Sequence, residues 1–273
     1  MYNVRVKKFL DTEQLQVYST VLHSTRDMRP VNYETGEVGE RVSIPPGKPE
    51  YNPFSDECER MVEMGDPERS KAVSQARTIH KIYDIARSNR WEWFITLTFN
   101  KEKVNRYDYA SCTKKLSDWL SNCRRKCPNM FYLVVPELHK DGAWHFHGLF
   151  ANCDALELVP SGHYDEHGDI VYNVGVYKFG WTTATRIKDL RRACSYITKY
   201  VTKELFGLTK GKKHYWASRN VALPEVIDAI VENPTEFRRE MISKANHCKT
   251  VNSEYLDVTY IELEKGETER TLL

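Results

Sequence analysis

The sequence predicts an α+β fold, and three features carry the prediction. These are a hydrophobic hairpin across residues 131–150, an aromatic and β-branched run at 91–99, and amphipathic stretches with helix punctuation at 66–89, 107–126 and 189–205. At 273 residues the chain can bury a substantial core, and one or two domains follow from that length. Hydrophobic residues make up 41% and charged residues 29%, and no apolar run approaches the length of a bilayer span, so no membrane partner is expected. The N-terminal Met-Tyr-Asn-Val-Arg-Val-Lys-Lys has no hydrophobic signal-peptide block, which points to the cytoplasm. Seven cysteines without paired CxxC spacing argue against a disulfide framework and against a four-cysteine zinc module.

Taken in order, residues 4–21 carry alternations such as Leu15, Val17 and Ser19 and predict one or two strands. Four prolines between Asn32 and Phe54 mark a long loop. Asp66-Pro67-Glu68 starts a helix, with an acidic cap and proline at the first helical position, and Ala72, Ala76, Ile79, Tyr83 and Ala86 keep helical spacing to about Asn89. Trp91 to Phe99 reads as a central strand. A second helix, about 107–126, buries Tyr109, Cys112, Leu116, Leu120 and Cys123 and ends in Arg124, Arg125 and Lys126, which complement its dipole. Residues 152–180 read as a polar loop and short hairpin, and 180–187 as a strand returning to the sheet. Asp189 caps a helix running to about Leu205, stopped at Gly207. Beyond Asn220, residues 224–233 and 234–246 predict two short helices and 254–263 a last strand. The chain thus divides into an N-terminal β/loop extension (1–65), a main domain (66–220) and a C-terminal α/β extension packing on the core (221–273).

The hairpin carries the chemistry. Lys140-Asp141-Gly142 suits a three-residue loop with glycine in the left-handed position. With that loop His139 faces Ala143, and counting back places Glu137 opposite His145 on a shared face. His147 joins them, because alternate strand residues point the same way. Two imidazoles and a carboxylate on one patch predict a metal site, while Trp144, Phe146 and Phe150 turn into a core. A lone strand histidine is ordinarily a hydrogen-bonded structural residue; the register-matched Glu is what raises this group above that. Pro136 marks its strand as an edge or as bulged, and a bulge would shift Glu137 out of register.

The helix from Asp189 contains a doubled unit, Tyr196-Ile-Thr-Lys199 followed by Tyr200-Val-Thr-Lys203. Residues four apart share a face, so Tyr196, Tyr200 and Lys203 line one edge with Lys199 slightly further round. An amphipathic helix presenting polar tips explains such residues blandly. The chemical alternative is a tyrosine that attacks a phosphodiester with a lysine beside it. Net charge is only +2, but between Arg186 and Lys213 nine Lys/Arg stand against Asp189 and Glu204, so phosphate binding is plausible there. His214-Tyr215-Trp216 is a candidate for stacking on bases.

These motifs in this order, Phe94-Ile-Thr-Leu-Thr-Phe99, then Glu137 with His145-Phe-His147, then the paired Tyr-x-x-Lys units, resemble the HUH endonucleases. The likeness is to rolling-circle replication initiators of small single-stranded DNA phages of the microvirus and inovirus kinds, and it covers roughly residues 70–220. His-Tyr-Trp-Ala-Ser-Arg at 214–219 fits the same pattern. The resemblance implies a central antiparallel sheet flanked by helices, with 66–220 as the endonuclease domain. It implies His145, His147 and Glu137 as ligands of Mg²⁺ or Mn²⁺, Tyr196 and Tyr200 as nucleophiles, and Lys199 and Lys203 as their lysines. The implied activity is nicking and rejoining of single-stranded origin DNA through a 5′-phosphotyrosine. A two-tyrosine transposase of the same superfamily and a non-catalytic origin-binding protein are the alternatives. No GxxxxGK-type loop is present, so a host helicase would unwind the duplex and a host polymerase would extend the free 3′-hydroxyl.

Overall fold

The computed structural model describes residues 1–22, 67–201, 203–209, 211–252 and 257–266, with the side chains of 67–71, 203 and 204 left aside. The proline-rich stretch from Asn32 to Phe54 and the Asp66 cap lie outside the described residues. In chain order the elements are β1 (Tyr2–Lys8), β2 (Thr12–Leu22), α1 (Pro67–Arg87), β3 (Trp93–Phe99), α2 (Tyr109–Lys126), β4 (Phe131–Leu138) and β5 (Trp144–Ala151). They continue with β6 (Leu158–Tyr164), β7 (Ile170–Val174), β8 (Gly180–Arg186), α3 (Leu190–Lys199), α4 (Lys203–Leu208), β9 (Trp216–Ala217), β10 (Glu225–Ala229), α5 (Pro234–Ser243), β11 (His247–Val251) and β12 (Val258–Glu264). Among the described residues no helix is long and apolar enough to cross a membrane.

The chain forms two compact units, Ser74–Pro224 and Met1–Val73 with Glu225–Leu273. The second holds a five-stranded antiparallel sheet in the order β10-β1-β2-β12-β11, with Val4, Val6, Leu15, Val17, Ile261, Leu263 and Met241 of α5 as its core. Strands β1 and β2 near the start of the chain thus share one sheet with β10, β11 and β12 from its last fifty residues. Residues 224–233 do not form the expected helix. Glu225–Ala229 is a strand, paired along β1 from Val4↔Ala229 to Lys8↔Glu225. Ile227 and Ala229, two residues apart, both pack on the core of this sheet, which is the period of a strand, and pairing with β1 satisfies the backbone.

The first unit holds a seven-stranded sheet in the order β6-β7-β8-β3-β5-β4-β9, antiparallel throughout. Paired residues share a face, so Trp93, Ile95, Leu97 and Phe99 lie on one side with Phe146 and Phe150, in the same core cluster as Leu116, Trp119 and Leu120 of α2. Asp108 caps α2 by accepting from the Ser111 amide at 2.8 Å. The other face carries Phe94, Thr96 and Thr98 of β3, His145 and His147 of β5, and Val135 and Glu137 of β4. Every candidate site residue of the strands stands on that second face.

The hairpin loop is as the sequence predicts. Gly142 has φ +81°, the Gly142 amide donates to the His139 carbonyl at 2.8 Å, and the His139 amide donates to the Ala143 carbonyl at 2.9 Å. The β4–β5 register runs without a shift from Phe131↔Ala151 to Leu138↔Trp144, so Glu137 faces His145. Pro136 makes no bulge. The neighbouring strand β9 pairs only with Leu133 and Val134, so β4 is a free edge where the proline sits.

Gly180 locks β8 to β3. A Cβ there would lie 2.0 Å from the Thr98 carbonyl oxygen and 2.7 Å from the Asn100 amide, both backbone atoms that cannot swing aside. Gly180→Ala is expected to destabilise the fold by about 3 kcal/mol or more, measured by urea unfolding. A variant as stable as wild type would show that β8 does not approach β3 this closely.

Candidate active site on the open sheet face

Each imidazole is oriented from the neighbouring strand. His147 Nδ1 lies 3.1 Å from Thr96 Oγ1, and His145 Nδ1 lies 3.3 Å from Thr98 Oγ1, because Thr96 pairs with His147 and Thr98 with His145. The Thr-Leu-Thr alternation of β3 thus matches the His-Phe-His alternation of β5. A threonine hydroxyl both donates and accepts, so it supports either ring tautomer. On the far side of its ring, His147 donates from Nε2 to Glu137 Oε2 at 2.6 Å. The histidine is 6% exposed whereas the Glu137 side chain is 34% exposed, so the contact is buried on its histidine side only.

That contact sets the electrostatics. The hydrogen bond from His147 is the largest influence holding the Glu137 carboxyl below its ordinary 4.5, with burial opposing it. Burial is the largest influence holding His145 below its ordinary 6.5, followed by the like charges of His139 and His147. Both groups bind fewer protons folded than unfolded. Their stabilising contributions are therefore present above the unfolded values and fade as pH falls, first for His145 from about 6.5 downward and then for Glu137 below about 4.5. The thermal midpoint is expected to fall between about pH 7 and pH 5, and to fall less steeply in His145→Asn. Equal slopes in the two proteins would contradict the assignment to His145.

Helix α3 brings the tyrosines onto this face. Asp189 caps it, accepting from the Arg192 amide at 3.0 Å, as expected from the sequence. The helix does not continue to Leu205, and Gly207 is not its stop. It ends at Lys199 with Tyr200 as its C-cap, and a separate α4 spans Lys203–Leu208. Ile197, Thr198, Val201 and Thr202 are β-branched and weaken helix continuation, and Thr198 Oγ1 donates back to the Ser195 carbonyl at 2.9 Å. The break lets Tyr200 lie flat on His147, with ring centroids 3.9 Å apart and planes 8° apart. Tyr196 meets Tyr200 edge-on at 5.2 Å and Phe94 at 5.4 Å. Burial, and then hydrogen bonding with Tyr196, push the Tyr200 phenol well above its usual value. Tyr196 is 47% exposed.

Of the two lysines, Lys199 Nζ sits 5.9 Å from the centre of the Tyr196 ring, and the Lys203 side chain lies outside the described residues. The basic run from 186 to 213 does not form a single face. Arg186 covers Trp93, Lys188 pairs with Asp169 at 2.5 Å, and Lys212 covers Tyr109. Lys213, His214, Tyr215 and Arg219 instead line a groove with Thr78, Lys81 and Ile85 of α1, and no carboxylate borders it among the described residues. Trp216 is not available for stacking on bases. It is 4% exposed and packs edge-on against Phe146, as Trp144 and Phe146 also belong to the core.

Three residues of the site have roles that the motifs alone do not assign. Thr96 and Thr98 are identifiable only once the β3–β5 register is known. His139, at the hairpin tip, stacks on His145 with centroids 4.9 Å apart and planes 19° apart. As a donor set, Glu137, His145 and His147 offer one hard oxygen and two imidazole nitrogens, which a divalent ion such as Mn²⁺ accepts. Glu137 and His147 already touch through the atoms that would bind, and His145 stands opposite Glu137 in the register. Among the described residues no three such side chains are gathered into a ready cation cage.

The fold and site define a class: an α+β protein that presents a His–Glu pair and two tyrosines on the open face of an antiparallel sheet. Residues 92–205 match the model of the replication-associated protein ORF2 family, a span that includes every candidate residue from Glu137 to Lys203. This match supports a replication initiator. No curated protein and no solved structure matches the chain.

Proposed function

We propose that the chain is a replication initiator of the HUH kind that nicks and rejoins single-stranded origin DNA through a 5′-phosphotyrosine. The observation that carries this reading is the Tyr200 ring stacked on His147 while Glu137 holds the other edge of the same imidazole. In the proposed reaction a tyrosine Oη attacks the scissile phosphorus and loses its proton. The P–O3′ bond breaks, and the leaving 3′ oxygen takes up a proton. Bond energy stays in the phosphotyrosine, so the reverse attack by a 3′-hydroxyl rejoins the strand without ATP. Glu137, His145 and His147 would hold Mg²⁺ or Mn²⁺, which when bound polarises the scissile phosphate and neutralises its charge. Thr96 and Thr98 fix the ring planes. Lys199 and Lys203 stabilise phosphoryl charge, and two tyrosines allow one to cut while the other receives the returning strand. The expected setting is a bacterial host cytoplasm, where host helicase opens the duplex and host polymerase extends the 3′ end.

The test is incubation with single-stranded oligonucleotides from the element's replication origin and Mn²⁺, followed by denaturing electrophoresis. A denaturation-resistant protein–DNA adduct and a shortened strand with a free 3′-hydroxyl are expected. Binding without any adduct would favour an origin-binding protein without catalysis.

A further inference from the structure

One large aromatic on the site face is not engaged by the core. Trp181 of β8 pairs with Thr98 of β3, Thr98 pairs with His145 of β5, and His145 pairs with Glu137 of β4. The four residues form one row across four strands, all on the same face. Neighbouring strands stand about 4.8 Å apart, which places the Trp181 backbone roughly 10 Å from that of His145. The chain has six tryptophans. Five of them, Trp91, Trp93, Trp119, Trp144 and Trp216, are 4–5% exposed, whereas Trp181 is 61% exposed. Thr183, two residues along on the same face, is exposed as well, so this part of the sheet is open rather than covered by a helix. The Trp181 indole has no ring or hydrogen-bond partner among the described residues.

We infer that Trp181 is a stacking platform for a base of the single-stranded DNA that flanks the scissile phosphate, about one or two nucleotides from it. The inference rests on the proposed reading of the His–Tyr site. An indole lying on a sheet surface offers a flat π-face that any base can cover, and stacking of this kind tolerates sequence. A nucleotide held there keeps the strand running across β8, β3 and β5, over Thr98 and toward His145. The row thereby supplies a registration point on the side of the site away from α3, which already covers Phe94 and His147 with Tyr196 and Tyr200. The subsite is for a nucleobase of either kind, not for a particular base, because no hydrogen-bonding side chain other than threonine borders Trp181 in its row.

The test is titration of the full chain with an oligothymidylate of about 20 nucleotides in EDTA, following tryptophan emission and, separately, anisotropy of an end-labelled strand. Emission of the wild type should be quenched as the strand binds. Trp181→Phe should lose that quench yet bind within about threefold, and Trp181→Ala should bind roughly tenfold more weakly. Both variants should keep the wild-type thermal midpoint, since the side chain is exposed. An unchanged quench in Trp181→Phe, or wild-type affinity in Trp181→Ala, overturns the inference. Loss of self-association in Trp181→Ala without any change in DNA affinity also overturns it, because the indole would then be a protein contact. If the wild type binds and forms the Mn²⁺-dependent adduct while Trp181 stays silent, the inference fails alone. If the wild type neither binds the strand nor forms the adduct, the reading of the site fails with it.

Discussion

His147→Ala is expected to reduce strand cleavage by at least about 100-fold while leaving most of the affinity for single-stranded DNA. The imidazole is the hub of the site: it touches Thr96 through Nδ1, Glu137 through Nε2, and the Tyr200 ring across its face. Its removal takes away a proposed ligand, the partner of the carboxylate and the surface on which the tyrosine rests. DNA affinity should survive because it comes from dispersed phosphate contacts and stacking rather than from one ring. A structural penalty also follows, since Glu137 loses its donor in a half-buried setting, which costs on the order of 1–3 kcal/mol. Thermal unfolding of the variant measures that penalty separately. The conservative His147→Asn, which keeps a polar group, should remain folded and equally inactive. Cleavage at the wild-type rate by either variant would remove His147 from the reaction.

The double substitution Tyr196→Phe with Tyr200→Phe is expected to abolish the covalent adduct altogether, while DNA binding and the stability of the fold change little. Phenylalanine keeps the edge-on contact with Phe94 and the stacked contact with His147, so packing is retained and only the two hydroxyls are lost. The single variants should differ. Tyr196 is 47% exposed, whereas burial disfavours ionisation of Tyr200, so Tyr196→Phe should impair the first cut more. Tyr200→Phe should then weaken the joining step. Adduct formation by the double variant, measured by denaturing electrophoresis, would assign the nucleophile elsewhere.

Much of this arrangement is legible in the sequence because it depends on local rules. The three-residue loop with Gly142 fixes the β4–β5 register, and the register fixes which face Glu137, His145 and His147 share. Asp189 announces its helix as a cap. What the sequence does not reveal depends on distant partners. Strands β10 and β12 pair with β1 and β2 from the opposite end of the chain, and no local signal specifies such pairing. The helical expectation for 224–233 fails for this reason, since a short apolar run takes its period from the strand it finds. The break after Lys199 is a closer case. The β-branched residues are visible, but their consequence depends on Tyr200 gaining a flat contact with His147 that only the folded sheet provides. The roles of Thr96, Thr98 and Trp181 belong to the same category, because the partners they meet are set by cross-strand rows, although the two threonines lie in the Phe94–Phe99 motif.

The most direct measurement is tandem mass spectrometry of the protease-digested adduct formed by the full chain on an origin-derived single strand with Mn²⁺. The account predicts a nucleotide linked through phosphate to Tyr196, in the tryptic peptide 193–199, or to Tyr200, in the peptide 200–203 that follows it. A nucleotide on any other residue, or cleaved DNA with no covalent peptide, would contradict it.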